Sequence, residues 1–197
     1  MTEYEQGILR KIEKSLYCPL CSLIDDAEFD MMSHLQYDVT RKPEIREAVA
    51  EEGGFCDFHF RQFRKIATAK TNALLLMAMI ERFGKPERQF IVNCRFCAHT
   101  EEYEGRLTEA MSHMLTENSF RVVYADHRGM CKGHLGSLTE LISDEKTRKW
   151  LGDVHRNQML RETPFLEQIA TKSYYDTSRL ARGSIPRTTE KFVGRRG

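Results

Sequence analysis

Six cysteines and two histidines carry the chemistry legible in this 197-residue chain. Cys18-Pro19-Leu20-Cys21 and Cys56-Asp57-Phe58-His59 form a C-x2-C-x34-C-x2-H pattern, and Cys94-Arg95-Phe96-Cys97 with Cys131-Lys132-Gly133-His134 repeat it as C-x2-C-x33-C-x2-H. The step from Cys18 to Cys94 is one position longer than the step from Cys56 to Cys131, and each C-x2-H follows a glycine and an apolar residue, Gly54-Phe55 and Gly129-Met130. Repetition of this kind marks an internal duplication. No cysteine is left over, and buried free cysteines would repeat neither the spacing nor the histidine. Three thiolates and an imidazole satisfy a tetrahedral, soft-to-borderline ion. Cys18, Cys21, Cys56, His59, Cys94, Cys97, Cys131 and His134 are therefore the expected ligands of two Zn2+ ions.

The spacing suits the task. A tight turn at C-x2-C brings two sulfurs to one side, and Pro19 sets the backbone angle such a turn favours. Ligands three apart at the start of a helix share a face, and the helix dipole there favours an anionic thiolate. Two pairings are open. Each repeat could close its own Cys3His site, or Cys18/Cys21 could join Cys131/His134 while Cys94/Cys97 join Cys56/His59. The shorter closure favours pairing within each repeat, although closure cost grows only slowly with separation. The same ligands can hold iron–sulfur clusters, which leaves electron transfer or cluster delivery as the alternative function. A dithiol redox role for Cys18-Pro19-Leu20-Cys21 would need a βαβ setting, and the residues before it are helical in pattern.

The elements that must position these ligands are read from periodicity, which is helical throughout, without sustained alternation bounded by hairpin turns. Tyr4, Ile8, Ile12 and Leu16 define a first helix. A second runs from Cys21 to about Tyr37, and a short third from Pro43 to Glu52 is ended by Gly53-Gly54. A fourth runs from Cys56 through the apolar stretch 73–80 to Phe83, stopped by Gly84 and Pro86. The second half predicts a long helix from Ala98 to Leu115, a break at Asn118-Ser119, a short segment to Ala125 and a helix from Cys131 to Ile142. Asp144 then caps a last helix towards Ile169, which Pro164 kinks or divides. Residues 73–80, apolar all round, predict the central helix of the domain, with a homodimer seam as the other reading.

Charge is nearly balanced, 30 basic against 29 acidic residues, so the body lacks the footprint of a nucleic-acid binder. From Tyr174 onward Arg179, Arg182, Arg187, Lys191, Arg195 and Arg196 face only Asp176 and Glu190. This segment reads as an extended basic tail, whose interleaved Leu180, Ile185, Phe192 and Val193 suit docking onto a protein partner. The longest apolar run falls short of a membrane span. The start, MTEYEQGILRKIEK, has no apolar signal core, so the cytoplasm is the expected compartment and its cysteines are expected to stay reduced. His34, His99, His113 and His155 read as ordinary helix histidines; His127 is a lesser candidate to replace a ligand. The methionines read as core filler. No nucleophile elbow, phosphate-binding glycine loop, H-E-x-x-H or paired-carboxylate motif occurs. Four protein ligands also leave no open coordination position, so catalysis is not indicated.

The strings CPLC, GGFCDFH, NCRFC and RGMCKGH together resemble the bacterial and archaeal family known as the domain of unknown function 6062, over roughly residues 15–172. The resemblance implies a helical protein with duplicated C-x2-C and G-x-C-x2-H motifs and carries over to the eight ligand positions. Family members often have a proline where this chain has Arg95, which implies a looser second turn; the basic tail lies outside the resemblance. The expectation is an all-α protein of two pseudo-repeated helical halves, 1–86 and 87–173, each stapled by a Cys3His metal site, with an extended tail at 174–197. Its expected role is that of a protein-interaction scaffold or accessory subunit, with a nucleic-acid-binding zinc protein as a third reading.

Overall fold

A computed structural model describes residues 1–83, 93–172 and 177–193. The described residues form helices and no strand, so the chain is all-α as its periodicity predicts. In order these are α1 (Glu3–Lys14), α2 (Pro19–Arg41), α3 (Pro43–Glu51), α4 (Asp57–Ile66), α5 (Ala69–Phe83), α6 (Arg95–Met114), α7 (Asn118–Asp126), α8 (Lys132–Leu141), α9 (Glu145–Leu160), α10 (Thr163–Thr171), α11 (Arg179–Arg182) and α12 (Ser184–Val193). The chain divides into two compact units, Met1–Ile24 with Glu104–Gly197, and Asp25–Tyr103. Each unit takes its metal-ligand motifs from both sequence repeats.

In the first unit, α1 opens with a full capping box, Thr2 Oγ1 accepting from Glu5 N while Glu5 reaches back to Thr2 N. Ile8, Leu20, Leu107, Met111, Leu115, Tyr124, Met130, Leu138 and Leu151 are buried. Gln158 Nε2 donates to Tyr124 O at 2.8 Å, tying α9 to α7. Asp144 caps α9 as expected, its carboxylate accepting from Thr147 N. Pro164 stands near the start of α10, where its missing N–H costs no helical bond, so the last predicted helix is divided there.

The second unit packs Met32, Leu35, Val39, Val49, Phe55, Phe63, Leu75, Cys94 and Phe96 into one cluster. Two expectations are corrected in this unit. The predicted helix from Cys56 to Phe83 breaks after Ile66, because Thr68 Oγ1 accepts from Thr71 N and starts α5 afresh. The apolar stretch 73–80 is not a helix buried on every side: Leu75 is buried, but Leu76, Met77 and Ile80 are exposed. One face of α5 suffices to fill the cluster. The stop expected at Gly84 and Pro86 lies outside the described residues.

The extended tail is also corrected within residues 177–193, which form α11 and α12. Buried charge anchors α12. Arg187 Nη2 lies 3.1 Å and Lys191 Nζ 3.7 Å from the carboxylate of Glu162, which is wholly buried, and Arg128 stands 3.6 Å from it. A buried carboxylate demands such partners. Residues 174–176 and 194–197 of the expected tail lie outside the described residues.

Candidate metal centres

All four motifs use one local device. Cys18, Cys56, Cys94 and Cys131 each stand immediately before a helix, and each backbone carbonyl accepts the first helical bond, from Ser22, Phe60, Ala98 and Leu135 at 2.8–3.1 Å. Each motif's second ligand, Cys21, His59, Cys97 or His134, is then the third residue of that helix. The two ligands of a motif thus flank the unpaired N–H groups of a first turn, where positive helix-end charge favours a thiolate. The C-x2-C turn expected from Pro19 is the first turn of α2, with Pro19 at the position where proline is best tolerated. In α6 Arg95 occupies that position. Its Nε and Nη2 both lie 2.8 Å from the Glu52 carboxylate, and Asn93 N donates to Glu52 O at 2.9 Å, so this turn is anchored rather than loose.

The glycines before the C-x2-H motifs are required by the backbone. Gly54 has φ +83° and Gly129 φ +98°, a region that side chains rarely enter. They turn the chain so that Phe55 and Met130 enter their cores while the next residue, the cysteine, starts a helix.

The eight expected ligands come together in two groups of four. The first, in the first unit, is Cys18, Cys21, Cys131 and His134; the second, in the second unit, is Cys56, His59, Cys94 and Cys97. The pairing is therefore the crossed one, and the expectation that each repeat closes its own site is corrected. Joining Cys21 to Cys131 rather than to Cys56 roughly triples the loop, which costs only about 1 kcal/mol. That cost is too small to decide the pairing, and the structure brings the N-termini of α2 and α8 together in one unit and those of α4 and α6 in the other.

Within each group the geometry is that of a single coordination sphere. His134 Nδ1 lies 3.1 Å from Cys131 Sγ, 3.3 Å from Cys21 Sγ and 3.4 Å from Cys18 Sγ. His59 Nδ1 lies 3.1 Å from Cys56 Sγ and 3.3 Å from both Cys94 and Cys97 Sγ. Sulfur–sulfur distances are 3.6 Å for Cys21–Cys131 and for Cys56–Cys97. A tetrahedral ion with bonds of about 2.3 Å to sulfur and about 2.0–2.1 Å to nitrogen needs edges of about 3.8 and 3.5 Å. The residues fit such an ion after a shift of a few tenths of an ångström, on the order of the tolerance for a metal site.

Two residues of the site escape a reading that looks only for ligands. Glu28 Oε1 lies 2.9 Å from His59 Nε2, and Glu104 Oε1 3.0 Å from His134 Nε2. Each imidazole thus turns Nδ1 to the sulfurs and Nε2 to a carboxylate, the arrangement that fixes a ligating histidine's tautomer and raises its basicity. The signal was present in the sequence: Glu28 and Glu104 occupy the same slot in the two repeats, each seven after the second cysteine of its C-x2-C. Helix α2 therefore gives Cys21 to the first group and Glu28 to the second, and α6 gives Cys97 to the second and Glu104 to the first.

Within each group the environment pushes neighbouring ligands in opposite directions. Burial pulls both imidazoles down, but Glu28 and Cys56 override it to hold His59 at about 9, and Cys131, Cys21 and Glu104 hold His134 at about 12. Burial and the neighbouring thiols push Cys18 up, whereas hydrogen bonds from Cys18 and Cys21 hold the Cys131 thiol far below its ordinary range. In the second group burial opposes ionisation of Cys94, yet backbone and thiol hydrogen bonds bring it to about 7, while burial and its thiol neighbours raise Cys97 to about 12. Both groups could hold a metal ion in place of these protons.

The remaining histidines belong to neither group. His127, the lesser ligand candidate, directs Nε2 to Ser15 O at 2.9 Å, and its Nδ1 accepts from Gly129 N at 3.0 Å, so it supports the turn before Cys131. His34 bonds Asp30 O, and His99 stacks on Tyr103. Among the described residues, no helix is long and apolar enough to cross a membrane.

No family model matches the chain, and no solved structure matches it. It is similar to the "Uncharacterized 23.9 kDa protein in xynA 3'region" of Caldicellulosiruptor sp. (strain Rt8B.4), with 21% identity over 169 residues that span 80% of this chain and 83% of that protein.

Proposed function

We propose that this chain is a non-catalytic zinc protein in which two Zn(Cys3His) centres pin helix N-termini together and so build a rigid scaffold or accessory subunit for a protein partner. The observation that carries the reading is the pair of four-ligand groups, each with a carboxylate behind its histidine. Three thiolates and an imidazole at these separations favour one four-coordinate ion over a multi-iron cluster, whose sulfurs would have to spread further apart. Four protein ligands also close the coordination sphere, which is characteristic of a structural rather than a catalytic zinc. Membership of the domain of unknown function 6062 family belongs to the same proposal.

The zinc supplies a point that holds four side chains at once. Cys18 and Cys21 at the start of α2 and Cys131 and His134 at the start of α8 would hold one ion; Cys56 and His59 at the start of α4 and Cys94 and Cys97 at the start of α6 would hold the other. Glu104 and Glu28 orient the two imidazoles. The test is metal analysis with a visible spectrum, on protein purified anaerobically without chelator. Two zinc ions per chain and no colour are expected. Iron with acid-labile sulfide and a brown absorbance would overturn the reading in favour of electron transfer or cluster delivery.

A further inference from the structure

The two centres share one construction but differ in access. In the first, Cys18, Cys21, Cys131 and His134 are all buried. In the second, His59 and Cys94 are buried, Cys56 is half-buried and Cys97 is exposed. The pair of sulfurs 3.6 Å apart in the first centre, Cys21 and Cys131, is thus closed to solvent, whereas the equivalent pair in the second, Cys56 and Cys97, faces a reagent from outside.

The helices of the second centre are also joined by other means. Phe55, which precedes Cys56, packs its ring 4.8 Å from that of Phe96 in α6 and 5.2 Å from that of Phe63 in α4. The Arg95–Glu52 fork and the Asn93–Glu52 backbone bond hold the start of α6 to the end of α3. None of these contacts runs through a ligating sulfur.

We propose that Cys56 and Cys97 form a peroxide-reactive site, at which oxidation to a disulfide releases the ion of the second centre while the first centre remains closed. The inference rests on the reading of both groups as zinc centres, in which the ligating sulfurs are thiolates. Its chemistry balances with a hydroperoxide as the two-electron oxidant. The Cys97 thiolate attacks one peroxide oxygen, the O–O bond breaks, and Cys97 becomes a sulfenic acid as the departing hydroxide takes a proton from solvent. The Cys56 thiolate then attacks that sulfur, forming the S–S bond and expelling a second hydroxide, which is likewise protonated to water. Two thiolates lose two electrons, one peroxide gains them, and only His59 and Cys94 would remain to hold an ion. A thiol reductant reverses the step by returning two electrons to the disulfide.

The experiment uses the full chain, its zinc content measured first, titrated with hydrogen peroxide beside a chromogenic zinc chelator, with peptide mass spectrometry at each stage. The expected result is loss of one zinc of two together with a Cys56–Cys97 disulfide. Cys18, Cys21 and Cys131 should remain unmodified, and dithiothreitol with added zinc should restore two ions. Simultaneous loss of both ions, oxidation of the first centre's cysteines at the same dose, or retention of both ions would overturn the inference and leave the zinc reading standing. A chain that carries no zinc at the outset would overturn both.

Discussion

At the scale of single residues, the centres are decided as much by what stands behind the ligands as by the ligands. Glu28 and Glu104 stand 2.9 and 3.0 Å from the Nε2 of the two histidines whose Nδ1 faces the sulfurs. Glu104→Gln is expected to lower zinc affinity by about 10–100-fold without changing the number of ions bound, as read by competition with a chelator of known affinity. Unchanged affinity would remove the carboxylate from the site. His127 offers a separate test. Burial holds its imidazole down at about 4 from an ordinary value of 6.5. Between those values the unfolded chain binds the proton and the folded chain does not, so stability falls as pH drops through this window. Its contribution is on the order of 3 kcal/mol. Urea denaturation of zinc-loaded protein from pH 7 to pH 4 should show a shallower loss for His127→Gln than for the unaltered chain, and parallel slopes would exclude the effect.

At the scale of elements, the repeated device is a helix whose first turn carries a cysteine just before it and a second ligand three residues on. Its entry depends on a backbone that glycine alone adopts freely. At Gly129 a Cβ would also meet Gln158 Oε1 at 2.9 Å, so Gly129→Ala is expected to cost on the order of 1–2 kcal/mol, measured as a shift in the urea midpoint. The helix α12 is held in a different way. Its buried residues are Ser184, Arg187 and Lys191, while Ile185 and Phe192 are 52% and 63% exposed. Removing the single carboxylate that three cations share leaves buried charge uncompensated, at a cost of about 3–5 kcal/mol. Glu162→Ala is therefore expected to release α12 to limited proteolysis near Arg187 and Lys191 under conditions where the unaltered chain resists. Equal resistance would show that apolar contacts hold the segment instead.

At the scale of the whole molecule, closing the two proposed zinc sites would supply free energy comparable to the stability of a domain, about 10–16 kcal/mol apparent for each site. Exhaustive chelation should therefore abolish most of the helical circular-dichroism signal at 222 nm, and zinc should restore it; a fully helical metal-free chain would contradict a structural role. The all-α class and the repeated motifs whose eight Cys and His residues gather into two groups were legible in the sequence, because helical periodicity and motif spacing are local properties. So were the cap at Asp144 and the stop at Gly53-Gly54. Glu28 and Glu104 were legible in principle through the same offset between the repeats, but a carboxylate on a helix has an ordinary solvent-facing explanation that only its contact with a buried imidazole displaces. Tertiary structure alone decided the crossed pairing, since loop closure separates the alternatives by only about 1 kcal/mol. It also decided that α5 exposes an apolar face and that residues 177–193 fold. Composition counts apolar and charged residues, whereas burial depends on which surface they meet, and the buried Glu162 that captures Arg187 and Lys191 belongs to a distant stretch of the chain.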